Sequence, residues 1–387
     1  MWRACREGPL GSVGLASSAC WACPAFRVKG ITTVRLIPLA TTVATALFIT
    51  ISVVVAPAAA AAQALPSVAA PGPTTALGGD TDAHDPALAR GTTGHDWYIY
   101  STGMSNRNGG AIQVRKSVDD GHTWAFAGTI WNGIPAWATQ MVPGTDSMWA
   151  PEIFRHGNTY YLYYAVSTVG HNNSVVGLAT NTTLDPAAPG YKWVDQGKVV
   201  RSIPESDFNA IDPDVIEDAA GTPWLVFGSY WSGIQMVQLQ WPSGKRSADP
   251  ARLHLADRKL PLNAIEGASM ISNGGWFYLF TSWDKCCVGL KSNYRIVVGR
   301  SKSVTGPYVD RDGHALMNGG GTTLLASTGN QVGPGGESIA GGLLAYHYYD
   351  AKANGLTRLG LRNLTFSPDG WPQLSPGLTT TGALQPQ

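Results

Sequence analysis

Three acidic residues stand in matching short motifs far apart in the chain: Asp85 in HDP, Asp212 in IDP and Glu266 in IEG. Each is the second residue of its motif. Carboxyl groups crowded into one place repel each other and cost stability, so three in register point to a use. Glycoside hydrolysis needs this equipment. One acid, kept protonated, gives its proton to the leaving oxygen, while a base activates water or attacks directly. A neighbouring negative charge raises the pKa of the acid so that its proton stays on near neutrality. Any one of these acids alone would as readily bond a backbone amide or an arginine.

Such residues converge only if the elements carrying them repeat, and the chain does repeat. Units open at positions 84, 149, 211, 265 and 332, a spacing of 54 to 67 residues. Each unit has a short opening strand, then an aromatic-rich strand, then a Val/Ile-rich strand. HDPALAR, WYIYST and AIQVRKS make the first unit, and WAPEIFRHG, TYYLYYAVS and SVVGLAT the second. No segment sustains a helical period. Alternating β-formers at this spacing predict an all-β fold, a five-bladed β-propeller over 81–387. In that fold the opening strand of every blade lines the axis, so equivalent acids meet in one funnel.

The composition agrees. Basic and acidic residues nearly balance, 27 against 26, and no basic stretch marks the body of the chain, which excludes nucleic acid as the main partner. The 46 glycines, 14 tryptophans and 14 tyrosines fit short strands, tight turns and aromatic faces, most of them in the core and some able to stack on sugar rings. Residues 1–64 read as a signal region: Arg27, Lys29 and Arg35, an apolar run from Leu36 to Ala56, then small residues to Ala64. Translation starting near Val34 would make 1–33 a misplaced start. A Pro/Ala/Gly-rich linker follows over 65–80. The expected product is secreted, with no membrane contact after cleavage, and monomeric. Cleavage removes Cys5, Cys20 and Cys23, leaving the adjacent pair Cys286 and Cys287, which either close a disulfide or stay reduced.

HDP, WAPE, NAIDP, SYWSG, IEG, CCVG, YRIVVGRS, TGPY, GGGTTLL and YHYYD occur in this order from His84 to about Asp350. That ordered series resembles glycoside hydrolase family 43, and within it the α-1,5-L-arabinanases. The resemblance implies an inverting hydrolase of α-1,5-linked L-arabinan, with Asp85 as general base, Glu266 as general acid, and Asp212 tuning and orienting the acid. It implies substrate contacts from Asp85, Trp149, Gly170, Asn209, Ala210, Ile211, Asp212, Ser229, Tyr230 and Trp231. No cofactor is required, but one structural calcium ion on the axis is expected. The sequence departs from the family twice. Glu152 replaces the usual aspartate of WAPD. Gly336 stands where many members carry a histidine that helps hold the axial metal through water, leaving His347 or Glu337 to substitute.

Three other readings compete. An exo-acting α-L-arabinofuranosidase of the same family differs only in whether a loop closes one end of the groove. A non-catalytic sugar-binding propeller would tolerate loss of an axial acid, and this chain keeps three. SVDDGHTW, Ser117 to Trp124, matches the Asp-box turn of sialidases, but it occurs once and no arginine trio accompanies it.

Overall fold

A computed structural model of the chain describes residues 77–91 and 95–378. The signal region and residues 65–76 of the stretch read as linker lie outside the described residues. At the end of that stretch, Gly78–Gly79 is already part of the fold, a short strand paired in parallel with Thr123 and Trp124.

Five sheets form the domain, one for each sequence unit, antiparallel apart from the Gly78–Gly79 pairing. Their innermost strands are Ala87–Arg90, Met148–His156, Asp214–Glu217, Ile265–Asn273 and Gln331–Ala340. Each packs on the innermost strands of the two neighbouring blades, and that of blade five meets that of blade one, closing the circle. The five-bladed propeller is thus borne out. Blade three has the shortest repeat, and its outer edge is broken into two short pieces, Lys245–Arg246 and Leu253–Ala256. The one α-helix among the described residues is short, Ala136–Met141.

The aromatic runs show why these sequences make blades. Successive side chains of a strand point to opposite faces. In Thr159–Val166, Tyr160, Leu162 and Tyr164 pack toward blade one, while Tyr161 and Tyr163 pack toward blade three. A strand buried on both faces needs apolar residues at every position, and each of the five blade interfaces has its own apolar cluster. Fully burying one Val- or Leu-sized side chain contributes roughly 1.5–3 kcal/mol, so these interfaces dominate the stability of the domain. The Asp-box match is a hairpin turn at the end of blade one remote from Thr102. There Asp119 accepts from Thr123 and Ser117, and the Trp124 indole donates to Gly121 O.

Candidate active site

At the mouth of the axis every blade makes the same turn. Asp85, Ala150, Asp212, Gly267 and Gly336 all have left-handed backbone, with φ of 49°, 33°, 56°, 60° and 58°. Non-glycine residues rarely adopt this conformation, and when they do the surroundings must hold them there. The kink turns the residue's side chain toward the axis. It also corrects the expected register. Asp85 and Asp212 occupy the kink, but Glu266 comes one residue earlier, with Gly267 in the kink. Strand pairing agrees: Glu266 opposite Ser282 corresponds to Trp149 opposite Ala165 and Gly335 opposite His347. The three acids still converge, because Glu266 is longer and reaches the site from the neighbouring position.

Asp85 is surrounded by donors. His84 Nδ1 lies 2.7 Å from its Oδ2, and Thr102 Oγ1 donates to the same oxygen at 2.6 Å. The Ala150 N–H donates to Thr102 Oγ1 at 2.9 Å, which fixes the direction of that hydroxyl. The Asp85 N–H donates to His347 Nδ1, so His347 carries its proton on Nε2. His84 stacks on His347 with ring centroids 3.8 Å apart. Burial would raise the Asp85 pKa, but the charge and hydrogen bond of His84, with His347 and Thr102, overcome it and hold the carboxyl well below the usual range. Burial works against the His84 cation, and Asp85 more than compensates, raising it. Burial and the neighbouring His84 charge outweigh the Asp85 carboxylate 3.5 Å from its Nδ1, so His347 falls to about 3 and stays neutral.

Glu266 has the opposite setting. Burial raises its pKa and the Asp85 charge adds to this, against hydrogen bonds from Ser229 Oγ and from Tyr294 Oη at 2.8 Å. Asp212 is pushed well up by burial and by facing Glu266 and Asp85. Its one hydrogen bond is from the Gly267 N–H at 3.0 Å. Asp212 and Glu266 therefore titrate as a pair that retains a proton where Asp85 has lost its own. One site thus holds an ionised carboxylate beside a proton-bearing pair, the division of labour general acid–base chemistry needs.

The remaining expected contacts separate into two groups. Trp149 is half-buried, its indole donating to Ser147 Oγ, and is not part of the blade cores. Gly170 is exposed, Tyr230 is half-buried, and Trp231 is 40% exposed on the rim. Asn209, Ala210 and Ile211 are different. Ala210 is in the core between blades two and three, Ile211 is buried, and Asn209 is tied to Ser174 Oγ at 2.6 Å. Ser229 points at Glu266 and is itself buried.

Sequence reasoning missed several residues: His84, Thr102, Tyr294 and Tyr349, and Asp214 deeper on the axis. His84 was within reach, since it stands in HDP itself. The axis below the kinks narrows to a cavity of about 30 Å³ lined by Asp85, Asp212, Glu152, Glu337, Ser338 and Tyr294. Asp214 lies beside it, its Oδ2 accepting from the Met270 N–H at 2.6 Å. Burial lifts Asp214 and Glu337 to about 8 each, and Glu152 well above the usual value with Asp214 adding to the effect. Gly336 is packed against the site: a Cβ there would lie 2.5 Å from Asp85 Oδ1 and 2.7 Å from His347 Nδ1, too close for any side chain without a shift of these groups.

The profile of "Glycosyl hydrolases family 43" matches residues 79–372, the whole propeller. The chain belongs to glycosyl hydrolase family 43. Among relatives in this family, "Extracellular endo-alpha-(1->5)-L-arabinanase 1" of Bacillus subtilis (strain 168) is 37% identical over 318 residues, 81% of this chain and 95% of that protein. The crystal structure of an exo-1,5-α-L-arabinanase from a bovine ruminal metagenomic library is similar at a TM-score of 0.70 and 41% identity. It covers 76% of this chain and 97% of its own. The endo-arabinanase of Bacillus licheniformis aligns at a TM-score of 0.72 and 38% identity, over 78% of this chain and 99% of its own. This family 43 member therefore has similar relatives of both the endo and the exo kind.

Proposed function

We propose that the protein is an exported endo-acting arabinanase that hydrolyses α-1,5-linked L-arabinan with inversion. The observation carrying this reading is the electrostatic division at the mouth of the axis. Asp85, held ionised by His84 and Thr102, is set to take a proton from water. Glu266, supported by Ser229 and Tyr294, is set to give the pair's proton to the leaving oxygen as the glycosidic bond breaks. Asp212 keeps that proton in the pair and, through the Gly267 N–H, holds the backbone beside Glu266. Export agrees with the leader-like N-terminus and with the extracellular relative from B. subtilis. A sugar-binding propeller without catalysis would gain nothing from holding neighbouring carboxyls in opposite protonation states. Endo action is tested by product analysis on linear arabinan. A ladder of oligomers is expected, and monomer alone from the earliest times would replace endo by exo action.

The donor set below the kinks suits a hard cation such as calcium. It is made of carboxyl oxygens, and Glu337 Oε1 is buried without a hydrogen-bond partner. Glu337 would hold the ion, with the carboxyls of Glu152 and Asp214 close to it. When bound, it supplies positive charge that favours the ionised carboxylates. All proton transfers in this reading run through Asp85 and the Asp212–Glu266 pair.

A further inference from the structure

Cys286 and Cys287 are bonded to each other in a disulfide, on the loop Asp284–Asn293 at the mouth of the axis. Their sulfurs lie 3.7 and 3.8 Å from His84 Nε2, the ring whose other nitrogen bonds the expected base. Cys286 Sγ is also 3.4 Å from Tyr349 Oη, and the Cys287 N–H donates to that oxygen at 2.9 Å. Cys286 is half-buried, Cys287 is exposed, and Val288 beside it is 36% exposed.

A disulfide ordinarily stabilises by closing a loop of the unfolded chain, and a bridge between adjacent residues closes almost none. Nor does the loop need a staple. Asp284 is clamped by Arg258 at 2.6 Å and Arg295 at 2.9 Å, and Lys285 and Asn293 bond across the loop base. What the bridge supplies is a surface: two polarisable sulfurs with little hydrogen-bonding capacity, held beside polar groups already committed to each other. His84 and Tyr349 are bonded together 3.2 Å apart and offer little apolar area to a ring. A furanose has hydroxyls at its edge and C–H groups on its face, and that face needs an apolar partner.

We propose that the Cys286–Cys287 disulfide is a substrate-binding element, an apolar wall against which the C–H face of an arabinofuranose packs next to Asp85. This rests on the arabinan reading above. The test measures binding, so that turnover does not enter. Glu266→Gln protein is titrated calorimetrically with a linear arabino-oligosaccharide in three forms: oxidised, reduced, and carrying Cys286→Ala with Cys287→Ala. A water-soluble phosphine performs the reduction. The disulfide gains two electrons and two protons to become two thiols, and the phosphine takes oxygen from water to become its oxide. Affinity should fall about tenfold in the reduced and double-alanine forms, the low end of what one apolar group contributes in a pocket. Their melting temperatures should match that of the oxidised form. Equal affinity in all three forms would overturn the inference alone. No binding by the oxidised form would overturn the arabinan reading and the inference with it.

Discussion

Two groups of carboxyls share the axis of this propeller, one at its mouth and one below, and they are built differently. At the mouth, Asp85 has the His84 ring and a threonine hydroxyl oriented by a backbone N–H, while Glu266 has two hydroxyls and faces another acid. Below, Glu152, Asp214 and Glu337 have one another, two serines and backbone N–H groups, with no lysine or arginine among their partners in the described residues. An isolated buried carboxylate costs several kcal/mol, so the lower group must either keep its protons or share a cation. Crowding of acids is common to both places. Only the upper group separates its members into an ionised one and a proton-bearing pair, and chemistry needs that separation.

The sharpest way to break the comparison is to remove the upper acids one at a time. Asp85→Ala and Glu266→Ala should each lower kcat on linear arabinan by about 10²–10⁴-fold, the usual contribution of a general acid or base, with the melting temperature nearly kept. Glu337→Gln, in the lower group, should keep kcat within severalfold. If Glu337→Gln proved as damaging as Glu266→Ala, the two groups would not differ as described.

A smaller effect is expected within the upper pair. Asp212→Asn leaves Glu266 with its two hydroxyl donors and without the acid that faces it, so its pKa should drop. The alkaline limb of the rate profile reports loss of the acid's proton and should move to lower pH. A limb that stays in place would reduce Asp212 to a positioning role.

How much of this was legible follows from side-chain geometry. The blades could be read because strands buried on both faces, such as Thr159–Val166, must be apolar throughout and recur at the blade period. Asp85 and Asp212 could be read because both sit before a proline at the kink. Glu266 seemed to share their register, because HDP, IDP and IEG look alike as strings. The kink falls on Gly267 instead, and only backbone dihedrals reveal that. Asp214 carried a signal that went unused. It stands two residues after Asp212, on the same side of the strand and one step deeper. Thr102, Tyr294 and Tyr349 come from the ends of other strands, and no local pattern brings them to the axis.

The smallest expected effect concerns the lower group and its cation. Without metal, Glu337 and Asp214 keep folded pKa values of about 8, above their unfolded values near 4. A raised carboxyl stabilises fully below its unfolded pKa, and that stability is lost as pH rises toward the folded value. Chelator-treated protein should therefore lose melting temperature between about pH 4 and pH 8, and added calcium should restore it at pH 8 by favouring the ionised forms. A flat profile that calcium does not move, with no metal by elemental analysis, would remove the ion from the account.

The division between Asp85 and Glu266 is tested most directly by changing the leaving group. An aryl arabinofuranoside with an activated leaving group departs without a proton, so it bypasses the acid but still needs the base. The Glu266→Ala protein should recover most of its lost rate on such a substrate, and the Asp85→Ala protein should recover none. Equal recovery by both, or recovery by Asp85→Ala alone, would contradict the assignment of acid and base.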